Sequence, residues 1–188
     1  MRDRIKEILL ESIQVKEELL RDSIVQILDI AQLAVDCLKK NGKVILFGNG
    51  GSAADAQHIA AELIGRFKKD RTALAAISLT TNTSVLTSIA NDYGYEVVFS
   101  RQIEALGQKN DIAIGISTSG KAKNVAAGIK QAKKMGIKTV ALTGGDGGDL
   151  AKLADVSLLV PSSVTARIQE AHITIGHILC ELIEQAVC

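Results

Sequence analysis

Short apolar runs alternate with helical patterns from residue 43 to the end of this chain. Continuous apolar runs of this length are typical of strands buried on both faces, as in a parallel sheet. Helices between such strands cover the sheet on its two sides. The predicted strands are residues 44–47, 74–79, 112–116, 139–142 and 156–160. The sequence therefore predicts an α/β fold with a five-stranded parallel sheet and helices on both faces.

Helical periodicity fills the segments between these strands. The predicted helices are residues 52–67, 82–106 with a break near Tyr93-Gly94, 123–135 and 164–187. No internal repeat or linker interrupts the pattern, so we expect one domain over residues 1–188. Ligands of parallel sheets bind at the carboxyl ends of the strands, near the point where the strand order reverses.

A long helical pattern precedes the first strand. Apolar residues recur at three- and four-residue steps over residues 2–40. Ser23 and Gln26 have the spacing of a capping box, which predicts two helices with a break near Asp22-Ser23. Asn41-Gly42 is a helix stop signal. We expect this N-terminal arm, residues 1–42, to pack against another subunit and so to serve oligomerisation.

The composition argues against several classes of protein. Twenty-two Lys and Arg residues balance 21 Asp and Glu residues, and aromatics make up only 3% of the chain. This gives no basic surface for nucleic acid or membranes and few stacking platforms for bases. The charged N-terminus is unlike a signal peptide, and no apolar run reaches the ~18 residues of a membrane span. Cys37, Cys180 and Cys188 have no metal-type spacing, which is typical of reduced thiols in a cytoplasmic protein.

Two polar loops follow predicted strands and precede helices. Asn49-Gly50-Gly51-Ser52 follows the first strand, and its glycines let backbone N–H groups approach an anion at the positive end of a helix dipole. Ser117-Thr118-Ser119-Gly120 follows the third strand and offers three hydroxyls. Alone, the first loop also fits a tight turn and the second an N-cap cluster. Because both loops end parallel strands, together they predict a phosphate site.

A third loop, residues 143–149, is expected to be a structural turn. It lacks a hydroxyl cluster, and its two carboxylates would repel phosphate. Asn91-Asp92 closes a predicted helix and, as a bare motif, indicates a helix C-cap.

The histidines suggest a metal site. His58 and Glu62 are four positions apart and share a helix face. Gln169 and His177 share a face of the last helix but lie about 12 Å apart along its axis. These four residues suit Zn²⁺ if long side chains converge or if different subunits contribute them. His172 has no polar neighbour one turn away on its face and is expected to be a structural, hydrogen-bonded histidine.

Taken together, these motifs resemble those of the sedoheptulose-7-phosphate isomerases, or phosphoheptose isomerases, of the sugar isomerase (SIS) domain superfamily. The resemblance covers nearly the whole chain. The serine loops mark the superfamily. The combination of His58, Glu62, Gln169 and His177 is far more specific to the isomerases. The motifs that carry it are Gly48-Asn49-Gly50-Gly51-Ser52, residues 58–62, Asn91-Asp92-Tyr93-Gly94, Ser117-Thr118-Ser119-Gly120, Leu142-Thr143-Gly144 and Arg167-Ile168-Gln169-Glu170 with His177.

The resemblance implies a three-layer, flavodoxin-like SIS fold and a cytoplasmic homotetramer with active sites at subunit interfaces. It implies conversion of sedoheptulose 7-phosphate to D-glycero-D-manno-heptose 7-phosphate, the first step of ADP- and GDP-heptose precursor synthesis for lipopolysaccharide and other glycans. One Zn²⁺ per subunit would be held by His58, Glu62, Gln169 and His177. The implied substrate-binding residues are Asn49, Gly50, Gly51, Ser52, Glu62, Asn91, Asp92, Ser117, Thr118, Ser119 and Gln169.

The implied chemistry moves a proton between C1 and C2 of the sugar through a cis-enediol. Glu62 is the expected base for the carbon proton and His177 the expected acid for the oxygen. A Zn²⁺ ion would polarise the carbonyl. Because tight metal ligation would occupy both residues, we expect one of them to exchange between metal and substrate, and the sequence leaves open which.

Two departures and one main alternative accompany the resemblance. Many family members have a further serine where this chain has Ala122, and some have Asp where it has Ala166. Lys121 or Lys123 would then compensate by charge at the phosphate. The alternative is a tetrameric, non-catalytic protein that associates with the bacterial replication initiator DnaA. That relative lacks the acid and histidine present here as Glu62 and His177, which favours the enzyme.

Overall fold

A computed structural model describes all 188 residues and contains a five-stranded, wholly parallel sheet. The strand order is β2-β1-β3-β4-β5, and the order reverses between β1 and β3. This is the flavodoxin-like order, whose ligand crevice lies at that reversal. The predicted α/β fold is therefore confirmed. The strands are β1 (Val44–Gly48), β2 (Ala76–Ser78), β3 (Ile112–Ser117), β4 (Lys138–Gly144) and β5 (Val156–Val160).

Eight α-helices surround the sheet, and a 3₁₀ turn over Tyr95–Val97 joins the fourth to the fifth. None of them is both long enough and apolar enough to cross a membrane. The helices are α1 (Arg2–Asp22), α2 (Ile24–Lys39), α3 (Gly51–Ile64), α4 (Thr83–Tyr93), α5 (Val98–Leu106), α6 (Lys123–Lys134), α7 (Gly148–Leu153) and α8 (Thr165–Val187).

Alternate residues of each strand enter two separate hydrophobic cores, because successive side chains of a strand point to opposite faces. Val44 and Leu46 of β1 pack with α1, α2, α3 and α8. Ile45 and Phe47 pack with α5, α6 and α7 on the other face. All five residues of β1 are buried. A strand buried on both faces shows no polar alternation, which is why β1 has a continuous apolar sequence.

The N-terminal arm is two helices, as predicted, but the capping box at their junction is not formed. The Ser23 side chain makes no cap hydrogen bond. The Ser23 N–H donates to the Leu19 carbonyl, and the Ser23 carbonyl accepts from the Ile27 N–H at 3.1 Å, so helical hydrogen bonding continues across the junction. The predicted stop after α2 is confirmed. Asn41 is left-handed at φ 58°, and the Asn41 and Gly42 N–H groups cap the last turn.

Three elements differ from the prediction. Helix α3 ends at Ile64 rather than at residue 67, so Phe67 lies in the loop that follows. Helix α7 was missed because it has only six residues, of which Leu150 alone is buried. It follows Gly147, whose φ of 73° ends the loop after β4. The predicted strand 74–79 is shortened to three residues because β2 is an edge strand paired only with β1.

An apolar groove of about 530 Å³ runs between α1, α2 and α8. Leu20, Ile24 and Leu28 line it and keep more than half of their surface exposed. Monomeric globular proteins rarely expose so continuous an apolar surface, so this face of the arm suits contact with another protein surface.

Candidate active site

The first loop places a polar side chain at the crevice. Asn49 follows β1 directly, and its amide exchanges two hydrogen bonds with the amide of Asn124 in the first turn of α6, at 2.9 and 2.8 Å. The Tyr95 hydroxyl donates to Oδ1 of the Asn49 side chain at 3.2 Å. Asn49 is thus held by α6, which follows β3, and by the 3₁₀ turn after α4, which follows β2.

Helix α3 begins immediately beyond this side chain. Gly50 is the N-cap residue and has φ 56°, a conformation that side-chain-bearing residues rarely adopt. Ser52 is buried, and its backbone N–H donates back to the Asn49 carbonyl. The Gln169 amide from α8 packs so closely over Gly51 that a side chain there would meet it. The start of α3 therefore presents bare backbone and an amide side chain, which suits a polar ligand.

The second and third loops form one depression. Ser117 is the last residue of β3, and the following Thr118 and Ser119 line a space of about 280 Å³. Gly145 and Asp146 of the third loop line the same space, as do Ser162 and Thr165 beyond β5. The third loop also packs against the second, because the Gly147 carbonyl lies so close to Gly120 that a side chain would not fit there. Its predicted structural role is present, and it also borders the polar depression.

The substitution in the second loop leaves α6 without a side-chain cap. Ala122 is the N-cap residue of α6 and makes no cap hydrogen bond, because it has no hydroxyl. Lys121 lines the depression, and its Nζ lies 4.0 Å from an Asp146 carboxylate oxygen. A cation therefore stands beside the position of the missing serine.

A cluster of two histidines and a glutamate, His58, His177 and Glu62, lies between α3 and α8. The Nε2 atoms of His58 and His177 are 3.0 Å apart, and His58 Nε2 is 3.3 Å from Glu62 Oε1. All three ligand atoms lie within 4.8 Å of one another. Donors about 2.05 Å from a tetrahedrally coordinated metal ion are about 3.3 Å apart, so the two distances that His58 Nε2 makes, to His177 and to Glu62, fit neighbouring ligands of such an ion. The structure brings together the two histidines and the glutamate that the sequence singled out.

Gln169 lies apart from this cluster in the same chain. Its amide contacts Gly51, which is seven positions before His58 in α3. At 1.5 Å per residue that is about 10 Å along the helix axis. The Gln169 amide therefore lies beside the first loop rather than beside His58 within one subunit.

Two ionisable groups near the cluster have altered pKa values. Burial raises the pKa of Asp55, one turn before His58, to about 6, and the His58 charge opposes this. Burial and then the negative charge of Glu62 raise the pKa of the Cys180 thiol to about 12, with Arg71 opposing. Without a bound metal Cys180 is therefore a protonated thiol of low reactivity, and its sulfur is not among the ligand atoms that cluster with His58 and Glu62.

The remaining predicted residues occupy separate positions. Asn91 and Asp92 lie exposed in the last turn of α4 and bond to each other at 2.8 Å. Gly94, at φ 91°, ends that helix. His172 is fully buried and bonds to the Thr143 carbonyl through Nε2 at 3.0 Å, which confirms its structural role.

Three residues near the site were missed by the sequence analysis. Tyr95 and Asn124 hold Asn49. Phe67 packs its ring 5.6 Å from the His177 ring, centroid to centroid. Asn124 had a usable signal, since it is a polar residue just after a hydroxyl-rich loop. Phe67 and Tyr95 lie just beyond the ends of α3 and α4, in a loop and a 3₁₀ turn, where the helical periodicity no longer indicates which way a side chain faces.

Comparisons with known proteins show which family has this sequence and fold. The family model for the SIS domain matches residues 9–144. The phosphoheptose isomerase of Aquifex aeolicus is 54% identical over 188 residues, covering 100% of this chain and 98% of the relative. The solved phosphoheptose isomerase of Neisseria gonorrhoeae superposes with a TM-score of 0.93 at 45% identity, covering 98% of each chain. That of Francisella tularensis superposes with a TM-score of 0.94 at 39% identity, covering 97% of each.

These similarities span the sheet, the arm and the α8 helix that carries His177. They hold for sequence and for three-dimensional structure alike, over almost the entire length of each relative. This chain therefore belongs to the phosphoheptose isomerase family of SIS-domain proteins.

Proposed function

We propose that this protein is a phosphoheptose isomerase that converts sedoheptulose 7-phosphate to D-glycero-D-manno-heptose 7-phosphate. One observation carries the proposal: a chain 54% identical to a phosphoheptose isomerase over its full length brings His58, Glu62 and His177 within 4.8 Å of one another. The alternative of a non-catalytic partner of the replication initiator DnaA finds no support among these relatives.

The loops after β1 and β3 are proposed to bind the sugar phosphate. The backbone N–H groups of Gly50 and Gly51 lie at the positive end of α3, and Ser117, Thr118 and Ser119 add hydroxyls. Asn49 and Ser52 would support the first loop, and Gln169 would contact the sugar beside Gly51. Exposed Asn91 and Asp92 are proposed to contact the sugar hydroxyls when the substrate is bound.

Glu62 and His177 are proposed to be the catalytic pair. Glu62 would remove the proton from one of the two sugar carbons and return it to the other. His177 would move a proton between the oxygens that these two carbons carry. The intermediate between the two steps is the cis-enediol. Each contribution of this kind is worth about 10²–10⁴-fold in rate. The proposal is supported by the position of both side chains in one half-exposed cluster that substrate can reach.

One Zn²⁺ per subunit is proposed to bind at His58, Glu62 and His177, with Gln169 as the fourth ligand. Two imidazoles and a carboxylate suit Zn²⁺ in charge and in donor type. When bound, the ion would polarise the substrate carbonyl. Because Gln169 lies beside Gly51 in its own chain, the fourth ligand is proposed to move on binding or to come from another subunit.

A homotetramer built through the arm is proposed as the active assembly. The exposed apolar side chains of residues 1–42, such as Leu20 and Leu28, support this. The three free cysteines suit a cytoplasmic enzyme. Its product would enter heptose precursor synthesis for lipopolysaccharide or related glycans.

Turnover of sedoheptulose 7-phosphate by purified protein, with and without added Zn²⁺, tests the proposal. We expect formation of the aldoheptose product, and loss of that product in the His177→Ala variant. Absence of turnover by folded, zinc-loaded protein would overturn the assignment, and binding to DnaA would then be measured.

A further inference from the structure

The loop after α3 is fastened to α8 by one buried carboxylate. Glu184 accepts hydrogen bonds from three successive backbone N–H groups: Phe67 at 3.2 Å, Lys68 at 3.1 Å, and Lys69. Burial disfavours the ionised carboxylate, but these three N–H groups and the Arg71 charge outweigh it, so the pKa of Glu184 is lowered. Glu184 is therefore a permanent anion inside the protein at neutral pH.

Arg71 provides the matching cation and also closes the end of α3. Its Nε lies 3.7 Å from Glu184 Oε2, and the two side chains are only 4% and 2% exposed. Its remaining guanidinium nitrogens donate to the carbonyl of Glu62 at 2.9 Å and to that of Leu63 at 2.8 Å. These carbonyls belong to the last turn of α3, where no further helical N–H is available. A cation at this end of a helix is also attracted to the negative end of the helix dipole.

Both of these contacts lead to residues of the candidate active site. The backbone that Arg71 holds is that of Glu62 itself. The loop that Glu184 holds carries Phe67, whose ring packs against the ring of His177. The Arg71–Glu184 pair thus fixes the backbone of one proposed catalytic residue and the neighbour of the other, although neither member of the pair belongs to the cluster.

We propose that Arg71 and Glu184 are positioning residues that set the geometry of Glu62 and His177 for metal binding and proton transfer. This inference rests on the proposed isomerase function. A pair that served stability alone would need only to join the loop to α8. Here the Arg71 guanidinium also bonds to the Glu62 carbonyl. The loop that Glu184 holds also places the Phe67 ring against His177.

The decisive variant is Glu184→Gln, with Glu181→Gln as its matched control. Glu181 lies one turn earlier on α8 and joins the same loop through an exposed ion pair with Lys68 at 2.8 Å. Glutamine at 184 keeps the volume but removes the charge, and its amide group cannot accept from all three N–H groups. We expect Glu184→Gln to bind Zn²⁺ about 10-fold more weakly, as measured against a chromophoric chelator. We expect kcat to fall by a similar factor while KM changes less than about twofold.

A metal-free readout separates positioning from stability. The chain has three histidines, so the ring signals of His177 can be assigned by NMR in protein stripped of metal. We expect these signals to shift in Glu184→Gln and to stay in place in Glu181→Gln. A folded Glu184→Gln protein with wild-type Zn²⁺ affinity, kcat and His177 signals would overturn the proposal, even if its melting temperature fell.

Arg71→Lys decides the question if Glu184→Gln does not fold. Lysine keeps the positive charge near Glu184 but cannot donate to two α3 carbonyls with the geometry of a guanidinium. The same weakening of Zn²⁺ binding and shift of His177 would support positioning, and unchanged values would refute it. If the wild-type protein does not turn over sedoheptulose 7-phosphate, the proposed function fails, while the Zn²⁺ and NMR measurements still test this inference.

Discussion

His58 and His177 lie 119 positions apart in the chain, yet their Nε2 atoms are 3.0 Å apart. Their neighbours explain this approach. Gly176 packs so tightly against Ile59 that a Cβ atom on the glycine would lie 2.7 Å from the Ile59 side chain. The absence of a side chain at residue 176 therefore lets α8 come close enough to α3 for the two imidazoles to meet.

Gly176→Ala should consequently separate the two histidines. Both Gly176 and Ile59 are buried, so the added methyl must displace the Ile59 side chain or push the helices apart, at a cost of about 1–3 kcal/mol. We expect a lower melting temperature and weaker Zn²⁺ binding in equilibrium dialysis. Gln185→Ala, an exposed change on the same helix, should alter neither quantity. Unchanged Zn²⁺ affinity in a destabilised Gly176→Ala protein would show that the cluster tolerates wider helix spacing.

Glu62→Gln tests the proposed base. The amide keeps the size of the side chain but cannot accept a carbon proton, so turnover should fall by about 10²–10⁴-fold. Glu62 is partly exposed and lies at the end of α3, so the fold and its melting temperature should be retained. Glu104→Gln on the exposed surface of α5 serves as the control. A near-normal rate in Glu62→Gln would remove this residue from the mechanism.

Asn124→Ala should disturb the first loop from a distance. Asn124 is buried and holds the Asn49 side chain through two hydrogen bonds, so its loss leaves Asn49 held only by the Tyr95 hydroxyl. Removing one partner of such a pair costs about 1–3 kcal/mol of stability. We expect KM for the sugar phosphate to rise several-fold, with a smaller effect on kcat. Asn110→Ala, at the opposite end of the sheet, should leave KM unchanged.

His172 should make the protein sensitive to acid. Burial lowers its pKa to about 4, whereas the unfolded chain has the usual value of 6.5, so between these values only the unfolded state binds the proton. Protonation therefore favours unfolding, and stability falls as the pH drops through this window. From pH 7 to pH 5 this one residue should cost about 2 kcal/mol of unfolding free energy.

His172→Gln removes this titration and can still donate a hydrogen bond toward the Thr143 carbonyl. Urea unfolding at pH 7 and pH 5 should show a smaller loss of stability in the variant than in the wild-type protein. Equal losses in both proteins would mean that other groups account for the acid sensitivity.

The sheet was predictable because its strands are buried on both faces, which leaves a continuous apolar signature such as that of β1. Irregular segments gave no such signal. The end of α3 depends on Arg71, whose guanidinium bonds to carbonyls eight and nine residues earlier. Helix α7 depends on the loop after β4 packing against Gly120.

The sequence by itself determined the layered α/β architecture and the loops at the strand ends, because burial periodicity and glycine-rich turns are local properties. It also indicated His58, Glu62 and His177 as a group, through helical spacing and family resemblance. Only the tertiary structure decided that these three meet while Gln169 lies beside Gly51. It alone revealed the Arg71–Glu184 pair. Such contacts depend on how closely two helices approach, which the packing of Gly176 on Ile59 sets and no local pattern encodes.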